Sequence, residues 1–197
     1  MSTPGASRAL ITPAARRVLM VAGEASGDVH GADFLRALRA RVPDLDVFGI
    51  GGDGLRMAGM RTIADAGEIA TVGLVEGVGR LRALVRLYRA LVRTLREHPP
   101  DLCVLVDFPE FNLRLARAAK RVGVPVLYYI GPQVWAWRRG RVRTIARRVD
   151  RLAVVFPFEP ELYAGRACGV EFVGHPLLDR VRASRDRTTT LEAHGLD

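Results

Sequence analysis

The sequence contains little cysteine, almost no lysine and no long apolar segment. Its two cysteines, Cys103 and Cys168, are too few for a disulfide framework and lack the spacing of zinc ligands. No uninterrupted apolar run approaches the roughly 20 residues that a membrane-spanning helix needs. Lys120 is the only lysine, so the net charge of +9 comes almost entirely from arginine. These shortages argue against a disulfide-rich scaffold and a bundle of membrane-spanning helices.

The composition is that of a globular protein, with 49% apolar and 26% charged residues. A length of 197 residues fits one sizeable core, because single domains usually have about 100 to 200 residues. The excess of arginine favours anionic partners, namely nucleic acid, phosphorylated ligands or an acidic membrane surface. Residues 1–16 lack the charged start and apolar stretch of an export signal. We therefore expect a cytoplasmic protein with a flexible extension at 1–16.

Apolar strand-like runs alternate with helical patterns along the chain. Residues 17–23 form a short apolar run that ends in glycine, and apolar residues at helical spacing follow it. The same order recurs at four further runs, residues 46–50, 101–108, 124–130 and 149–156. This alternation predicts an α/β fold over 17–180, a parallel sheet with helices on both faces. Apolar periodicity is lost at 181–197, which we interpret as a linker.

A carboxylate ends one of the most apolar runs. Asp107 follows the run at 102–106, and ligands of open parallel sheets bind beyond the carboxyl ends of the strands. Ser26 and Asp28, after the first strand, occupy an equivalent position. Two interpretations of Asp107 are open: a helix cap before Pro109, a residue favoured at the first helical position, or a working base.

Two glycine-rich segments follow the first two predicted strands. Gly49, Gly51 and Gly54 satisfy the G-x-G-x-x-G pattern, but they follow the second strand instead of the first. A tight turn is therefore favoured over a dinucleotide site. The segment "VAGEASGDVHG" has no Gly-Lys-Ser/Thr and is not a nucleotide P-loop. There, Ser26 or Asp28 either caps the following helix or contacts a ligand.

Residues 79–98 have the pattern of a basic amphipathic helix. Leucine, valine and tyrosine follow one face, and the opposite face carries Arg82, Arg86, Arg89, Arg93 and Arg96. Two interpretations are open: a helix that covers the sheet and exposes its arginines to solvent, or contact with an anionic membrane.

Residues 131–148 combine two tryptophans with many arginines, which suits RNA or a ligand loop. No recognisable RNA-binding module surrounds them.

Six segments, in order and spacing, resemble the lipid-A-disaccharide synthase family: "VAGEASGD", "GIGGDGLRMAGM", "VDFPEFNLRLA", "YYIGPQVWAWRRGR", "FPFEPELY" and "FVGHPLLD". The resemblance implies the N-terminal, acceptor-side domain of a GT-B fold, in which two Rossmann-like domains flank the active cleft. It implies inverting transfer of 2,3-diacylglucosamine from UDP-2,3-diacylglucosamine to the 6-hydroxyl of 2,3-diacylglucosamine 1-phosphate in lipid A biosynthesis. No cofactor or metal is expected, and the C-terminal domain that would hold the UDP donor would be missing.

The resemblance also implies roles for particular residues. The family's base candidate is the first aspartate of its D-x-P-[DE]-F-N motif, which falls on Asp107. Plausible acceptor or cleft-wall contacts fall on Ser26, Gly27, Asn112, Trp135 and Arg138. Position 131 departs from the family, because it is glycine where a serine usually precedes "PQVWAW".

Lipid substrates would require the protein to dock on a membrane. The resemblance therefore favours peripheral contact with the anionic cytoplasmic face of the inner membrane, through Arg82, Arg86, Arg89 and Arg93. Nucleic acid is not an expected partner in this case. The rival from another functional class is a non-catalytic α/β module that binds anionic lipid or RNA through its arginines.

Overall fold

The structure is a computed structural model that describes residues 16–65, 77–136, 140–181 and 186–195, with the backbone alone for 77–80. Its strands are β1 (Arg16–Ala22), β2 (Leu45–Gly51), β3 (Arg61–Asp65), β4 (Leu102–Val106), β5 (Val126–Tyr129), β6 (Arg151–Val154) and β7 (Gly169–Phe172). Its helices are α1 (Ala25–Arg41), α2 (Asp53–Met57), α3 (Gly77–Glu97), α4 (Pro109–Arg121), α5 (Arg141–Arg148) and α6 (Arg187–Ala193). Two 3-10 helices cover Glu159–Tyr163 and Pro176–Asp179.

The seven strands form one parallel sheet in the order β3-β2-β1-β4-β5-β6-β7. The chain starts in the middle of the sheet with β1 and winds outward to β3. It then crosses back to place β4 on the other side of β1 and winds outward to β7. The order reverses between β1 and β4, and in sheets of this kind ligands bind in the crevice at that reversal.

Apolar side chains cover both faces of the sheet. One core cluster joins the sheet to α3, α4 and α5, and it includes the fully buried Leu91, Leu115 and Ile145. The other joins the opposite face to α1 and α2 and includes Leu35 and Leu55. Burying each such side chain contributes roughly 1.5 to 3 kcal/mol. The prediction of a parallel sheet with helices on both faces is confirmed.

The two strands at the edges, β3 and β7, were not predicted from the sequence. No residue of either strand is fully buried, whereas five of the seven residues in β1 are. An edge strand has one neighbour and keeps part of its surface in water, so it does not need an apolar run. The sequence at these edges therefore lacks the pattern that identifies the five inner strands.

Asp28 connects α1 to α2. Its buried carboxylate accepts hydrogen bonds from the backbone N–H groups of Gly52 (2.7 Å), Gly54 (2.8 Å) and Leu55 (3.1 Å). The expectation that Ser26 or Asp28 caps its own helix is wrong, because α1 has no side-chain cap and Asp28 caps α2 instead. The glycine-rich segment gives its backbone donors to this carboxylate, which supports a tight turn over a dinucleotide site.

Part of the predicted linker is helical. Within 181–197, Asp186 caps α6 by accepting a hydrogen bond from the backbone N–H of Thr189 (2.8 Å), and no residue of α6 is buried. A linker role for this segment stays a prediction.

Candidate functional site

The candidate site lies at the carboxyl ends of β1 and β4, where the strand order reverses. Ala22 and Val106 are paired in the last described register of these strands, and Asp107 follows directly. A parallel sheet gathers the loops that follow its strands at one edge. The fold therefore brings Asp107 next to the start of α1.

The backbone at Asp107 adopts an unusual conformation. Asp107 and Phe108 have φ angles of 47° and 49°, in the left-handed region that costs non-glycine residues about 1 kcal/mol or more. Two side chains hold this turn by donating to the carbonyl oxygen of Asp107, Tyr128 through its hydroxyl (2.6 Å) and Asn112 through its amide (2.7 Å). Strain that is held in place in this way is typical of functional sites.

The carboxylate of Asp107 is not used as a helix cap. Helix α4 begins at Pro109, and its N-cap is Phe108 without a side-chain hydrogen bond. No hydrogen bond to the Asp107 carboxylate is found among the described residues, and the residue is partly exposed. Of the two interpretations from the sequence, the structure removes capping, and the role of Asp107 as a base stays a prediction.

Asn112 is fully buried, and its side chain is bonded to the main chain of the site. Its amide nitrogen also donates to the carbonyl oxygens of Val106 (3.2 Å) and Val21 (3.4 Å), which belong to neighbouring strands. Contact of Asn112 with substrate stays a prediction. Its side chain ties the ends of β1 and β4 to the turn at Asp107, so Asn112 is a positioning residue.

Glycines let α1 approach this turn. A Cβ at position 23 would lie 2.3 Å from the Phe108 ring, which stacks on Phe111 with centroids 5.3 Å apart. A Cβ at Gly27 would lie 3.7 Å from the Cβ of Asp107. Gly27 is thus a neighbour of Asp107, and the exposed Ser26 precedes it in the first turn of α1.

A pocket of about 360 Å³ opens in front of Asp107. Its walls include Ile130 and Gly131 after β5 and Arg141 at the start of α5. Arg141 forms an ion pair with Glu110, so it supplies a positive charge that is already partly balanced. Sequence analysis missed Arg141 as a site residue, although the arginine-rich run at 138–148 contained the signal.

A second carboxylate stands near Asp107. Partial burial raises the pKa of Glu24, and the negative charge of Asp107 raises it further. Burial also raises the pKa of the Tyr128 hydroxyl well above its usual range, and the negative charge of Asp107 raises it further. The hydroxyl therefore stays protonated and donates a hydrogen bond. The crevice therefore holds two carboxylates, and the charge of Asp107 acts on Glu24.

Trp135 lies outside the pocket of Asp107. Its ring meets the rings of Phe156 and Phe158 edge-on, at centroid distances of 5.8 and 5.4 Å, and 36% of the residue is exposed. His175 continues this aromatic cluster, 6.0 Å from Phe156. Trp135 is thus part of an aromatic cluster, and its contact with substrate stays a prediction. Arg138 lies outside the described residues.

The glycine at position 131 has a structural explanation. A Cβ there would lie 2.5 Å from Cδ1 of Leu152, a buried residue of β6. Leu152 thus occupies the space that a side chain at 131 would need. A serine at this position would require Leu152 to move.

Helix α3 is amphipathic, as predicted. Leu91 and Leu95 are fully buried, whereas Arg82, Arg86, Arg89 and Arg93 are all exposed. The pattern is broken at Leu81 and Val85, apolar residues that are 63% and 37% exposed.

Among the described residues, no helix is long and apolar enough to cross a membrane. The described part of the chain also contains no group of three metal-ligating side chains.

Solved structures define the class of fold. The chain is similar to UDP-GlcNAc 2-epimerase from Neisseria meningitidis, with a TM-score of 0.57 and 11% identity over 91% of this chain and 53% of that one. It is also similar to MurG from Acinetobacter baumannii, with a TM-score of 0.50 and 13% identity over 87% and 47% of the two chains. The fold is an α/β Rossmann-like domain of the GT-B type.

The sequence identifies the family within this class. A model of lipid-A-disaccharide synthetase matches residues 18–197. The chain is 52% identical to lipid-A-disaccharide synthase of Geobacter metallireducens over 182 residues, and 45% identical to that of Myxococcus xanthus over 180 residues. It therefore belongs to the lipid-A-disaccharide synthase family. These matches cover 92% and 91% of the chain but 47% of each relative, so the chain spans about half their length.

Proposed function

We propose that this chain is the acceptor-side half of an inverting glycosyltransferase of lipid A synthesis. The observation that carries the proposal is the place of Asp107, which directly follows β4 at the reversal of strand order and lines a pocket together with residues that follow β5. The donor would be UDP-2,3-diacylglucosamine, held by a C-terminal domain that corresponds to the other half of the relatives. The acceptor would be 2,3-diacylglucosamine 1-phosphate, bound over the crevice described above.

In this proposal Asp107 is the general base. It takes the proton from the 6-hydroxyl of the acceptor while that oxygen attacks the anomeric carbon of the donor. The bond from that carbon to UDP breaks on the opposite face, and UDP leaves with the bonding electrons. A positioned base typically contributes about 10² to 10⁴ in rate. The bonds from Tyr128 and Asn112 fix the backbone of Asp107 and so direct its carboxylate.

Replacement of the base tests this function. In a full-length chimera of residues 1–197 with the C-terminal half of the Geobacter metallireducens relative, we expect Asp107→Asn to lower turnover at least about a hundredfold. The change preserves shape and removes proton acceptance. Turnover is measured as UDP release that depends on both lipid substrates.

A matched control separates this effect from a general loss of charge. Asp44 is an exposed aspartate between α1 and β2, away from the crevice, and Asp44→Asn should leave turnover unchanged. Near-normal turnover of the Asp107→Asn chimera would refute the assignment of the base.

The proposal includes peripheral contact with the cytoplasmic face of the inner membrane through α3. Its support is the row of exposed arginines on that helix beside the exposed Leu81 and Val85. Apolar side chains that enter the interface and arginines that meet anionic headgroups are the usual composition of such helices. Contact of this kind would bring the crevice to acyl-chain substrates that reside in the membrane.

A further inference from the structure

A continuous row of arginines lies between α4 and α5, on the face of the sheet that also carries α3. We call it the arginine groove and define it by Arg114, Arg117 and Arg121 of α4 with Arg143, Arg147 and Arg148 of α5. Three adjoining depressions of about 320, 420 and 420 Å³ form it. Arg117 and Arg148 line the first two depressions, and Arg147 lines the second and third, so the row is unbroken.

The groove has a large positive charge without matching acids. Within the described ranges, none of its six arginines forms an ion pair, and the hydrogen bonds of Arg114, Arg147 and Arg148 go to backbone carbonyl oxygens. Burial lowers the pKa of Arg148, and the positive charges of Arg117 and Arg147 lower it further. Like charges held this close repel one another, and an anion bound between them would remove that repulsion.

The neighbouring surface indicates which anion fits. Tyr88 of α3 borders the groove, and its hydroxyl donates to the carbonyl oxygen of Arg114 (3.4 Å). Leu81 and Val85 lie on the same side of α3, about two turns and one turn before Tyr88, and expose apolar surface. Arg82 and the other exposed arginines of α3 lie on their far side. An exposed apolar strip therefore runs between two sets of arginines.

We propose that the arginine groove binds the headgroups of anionic phospholipids, so that α3, α4 and α5 together face a membrane surface. The groove is open along its length, as contact with many headgroups requires. RNA fits less well, because base stacking needs free aromatic faces. Tyr88, the aromatic residue that borders the groove, packs edge-on against Phe111 and is hydrogen-bonded to α4. The inference extends the proposed membrane contact but uses no residue of the Asp107 pocket.

Vesicle binding by the 197-residue chain tests the groove. The probes are phosphatidylcholine vesicles with and without phosphatidylglycerol at one fixed salt concentration. Each arginine near an anionic surface contributes about a fivefold change in affinity, so Arg117→Gln with Arg147→Gln should weaken binding to the anionic vesicles roughly thirtyfold. The matched control is Arg16→Gln with Arg41→Gln, which removes the same charge at exposed positions of β1 and α1, and its affinity should change much less.

Two further arms make the outcome decisive. Arg117→Lys with Arg147→Lys keeps the charge and should retain most of the binding, which excludes misfolding as the cause of the loss. The proposal would be overturned if Arg117→Gln with Arg147→Gln lost no more affinity for anionic vesicles than the control variant, or lost none. If Arg117→Gln with Arg147→Gln lost binding to a single-stranded RNA oligomer but kept its binding to vesicles, the groove would be assigned to RNA instead. None of these results bears on Asp107, so turnover of the chimera tests the proposed function separately.

Discussion

At the scale of single residues, the site is built from main-chain atoms as much as from side chains. The carbonyl oxygen of Asp107 accepts two hydrogen bonds, whereas no hydrogen bond to its carboxylate is found among the described residues. Hydrogen bonds of this kind contribute about 1 kcal/mol each, enough together to offset a left-handed φ angle. The conformation that directs Asp107 is therefore supported by residues that need not touch a substrate.

Glu24 provides a pH-dependent test of the same crevice. Its pKa in the folded chain is raised from the ordinary value of 4.5, so the folded state holds this proton more tightly than the unfolded state. Deprotonation above the raised pKa therefore lowers the free energy of unfolding. We expect Glu24→Gln to be more stable than the native chain at pH 7 and to lose that advantage at pH values below 4.5.

Urea denaturation at the two pH values measures this difference. In a chain that already carries Asp107→Asn, Glu24→Gln should raise the free energy of unfolding at pH 7 by less, since Asp107 supplies part of the pKa shift of Glu24. A Glu24→Gln chain that is less stable than the native one at pH 7 would contradict the linkage.

At the scale of secondary-structure elements, one buried carboxylate organises the first βαβ unit. Asp28 belongs to α1, but its three hydrogen bonds hold the start of α2 and the turn after β2. Gly52 and Gly54 give it room, because a Cβ at either position would lie 2.8 Å from the carboxylate. The glycine-rich segment is thus explained by an acid from another helix and not by a phosphate.

Removal of that acid should destabilise the chain strongly. Asp28→Ala leaves three backbone N–H groups without their acceptor, and we expect a loss of about 3 kcal/mol in the free energy of unfolding. The control is Asp53→Ala, whose side chain is 85% exposed at the start of α2 and which should change stability by about 0.5 kcal/mol or less. Urea denaturation measures both variants, and equal losses would show that Asp28 has no special role.

At the scale of the whole molecule, the charge is distributed unevenly between the two faces of the sheet. The exposed arginines of α3 and the arginine groove lie on one face, whereas many charges on the α1 side are paired, as for Arg36 with Asp33 and Arg56 with Asp53. The positive charge that gives the chain its net +9 is therefore concentrated on the face that carries α3 and the arginine groove.

Salt should consequently weaken the proposed association of α3 with membranes. We expect binding to vesicles that contain phosphatidylglycerol to fall as salt rises, because exposed charges are screened over about 10 Å at 0.1 M. Arg86→Gln with Arg89→Gln should lower affinity roughly thirtyfold at low salt. Vesicle sedimentation measures both effects, and binding that is indifferent to salt and to these replacements would remove α3 from the proposed contact.

The sequence predicted what depends on local pattern and missed what depends on distant contacts. The five inner strands, α3 and the position of Asp107 at a strand end all follow from periodicity. The hydrogen bond from Tyr128 to Asp107 joins residues 21 apart, and the bond from Asn112 to Val21 joins residues 91 apart. No spacing rule connects such pairs, so the hydrogen bonds of Asn112 to β1 and β4 were not predicted from the sequence.

The bridge that Asn112 makes between β1 and β4 has a mechanical consequence. Widening the crevice would pull the ends of these strands apart and break hydrogen bonds in the fully buried interior, where each lost partner costs about 1 to 3 kcal/mol. The floor of the crevice is therefore stiff. A change in the width of the crevice would have to come from parts of the protein other than the ends of β1 and β4. Asp107 would keep its position during such a change.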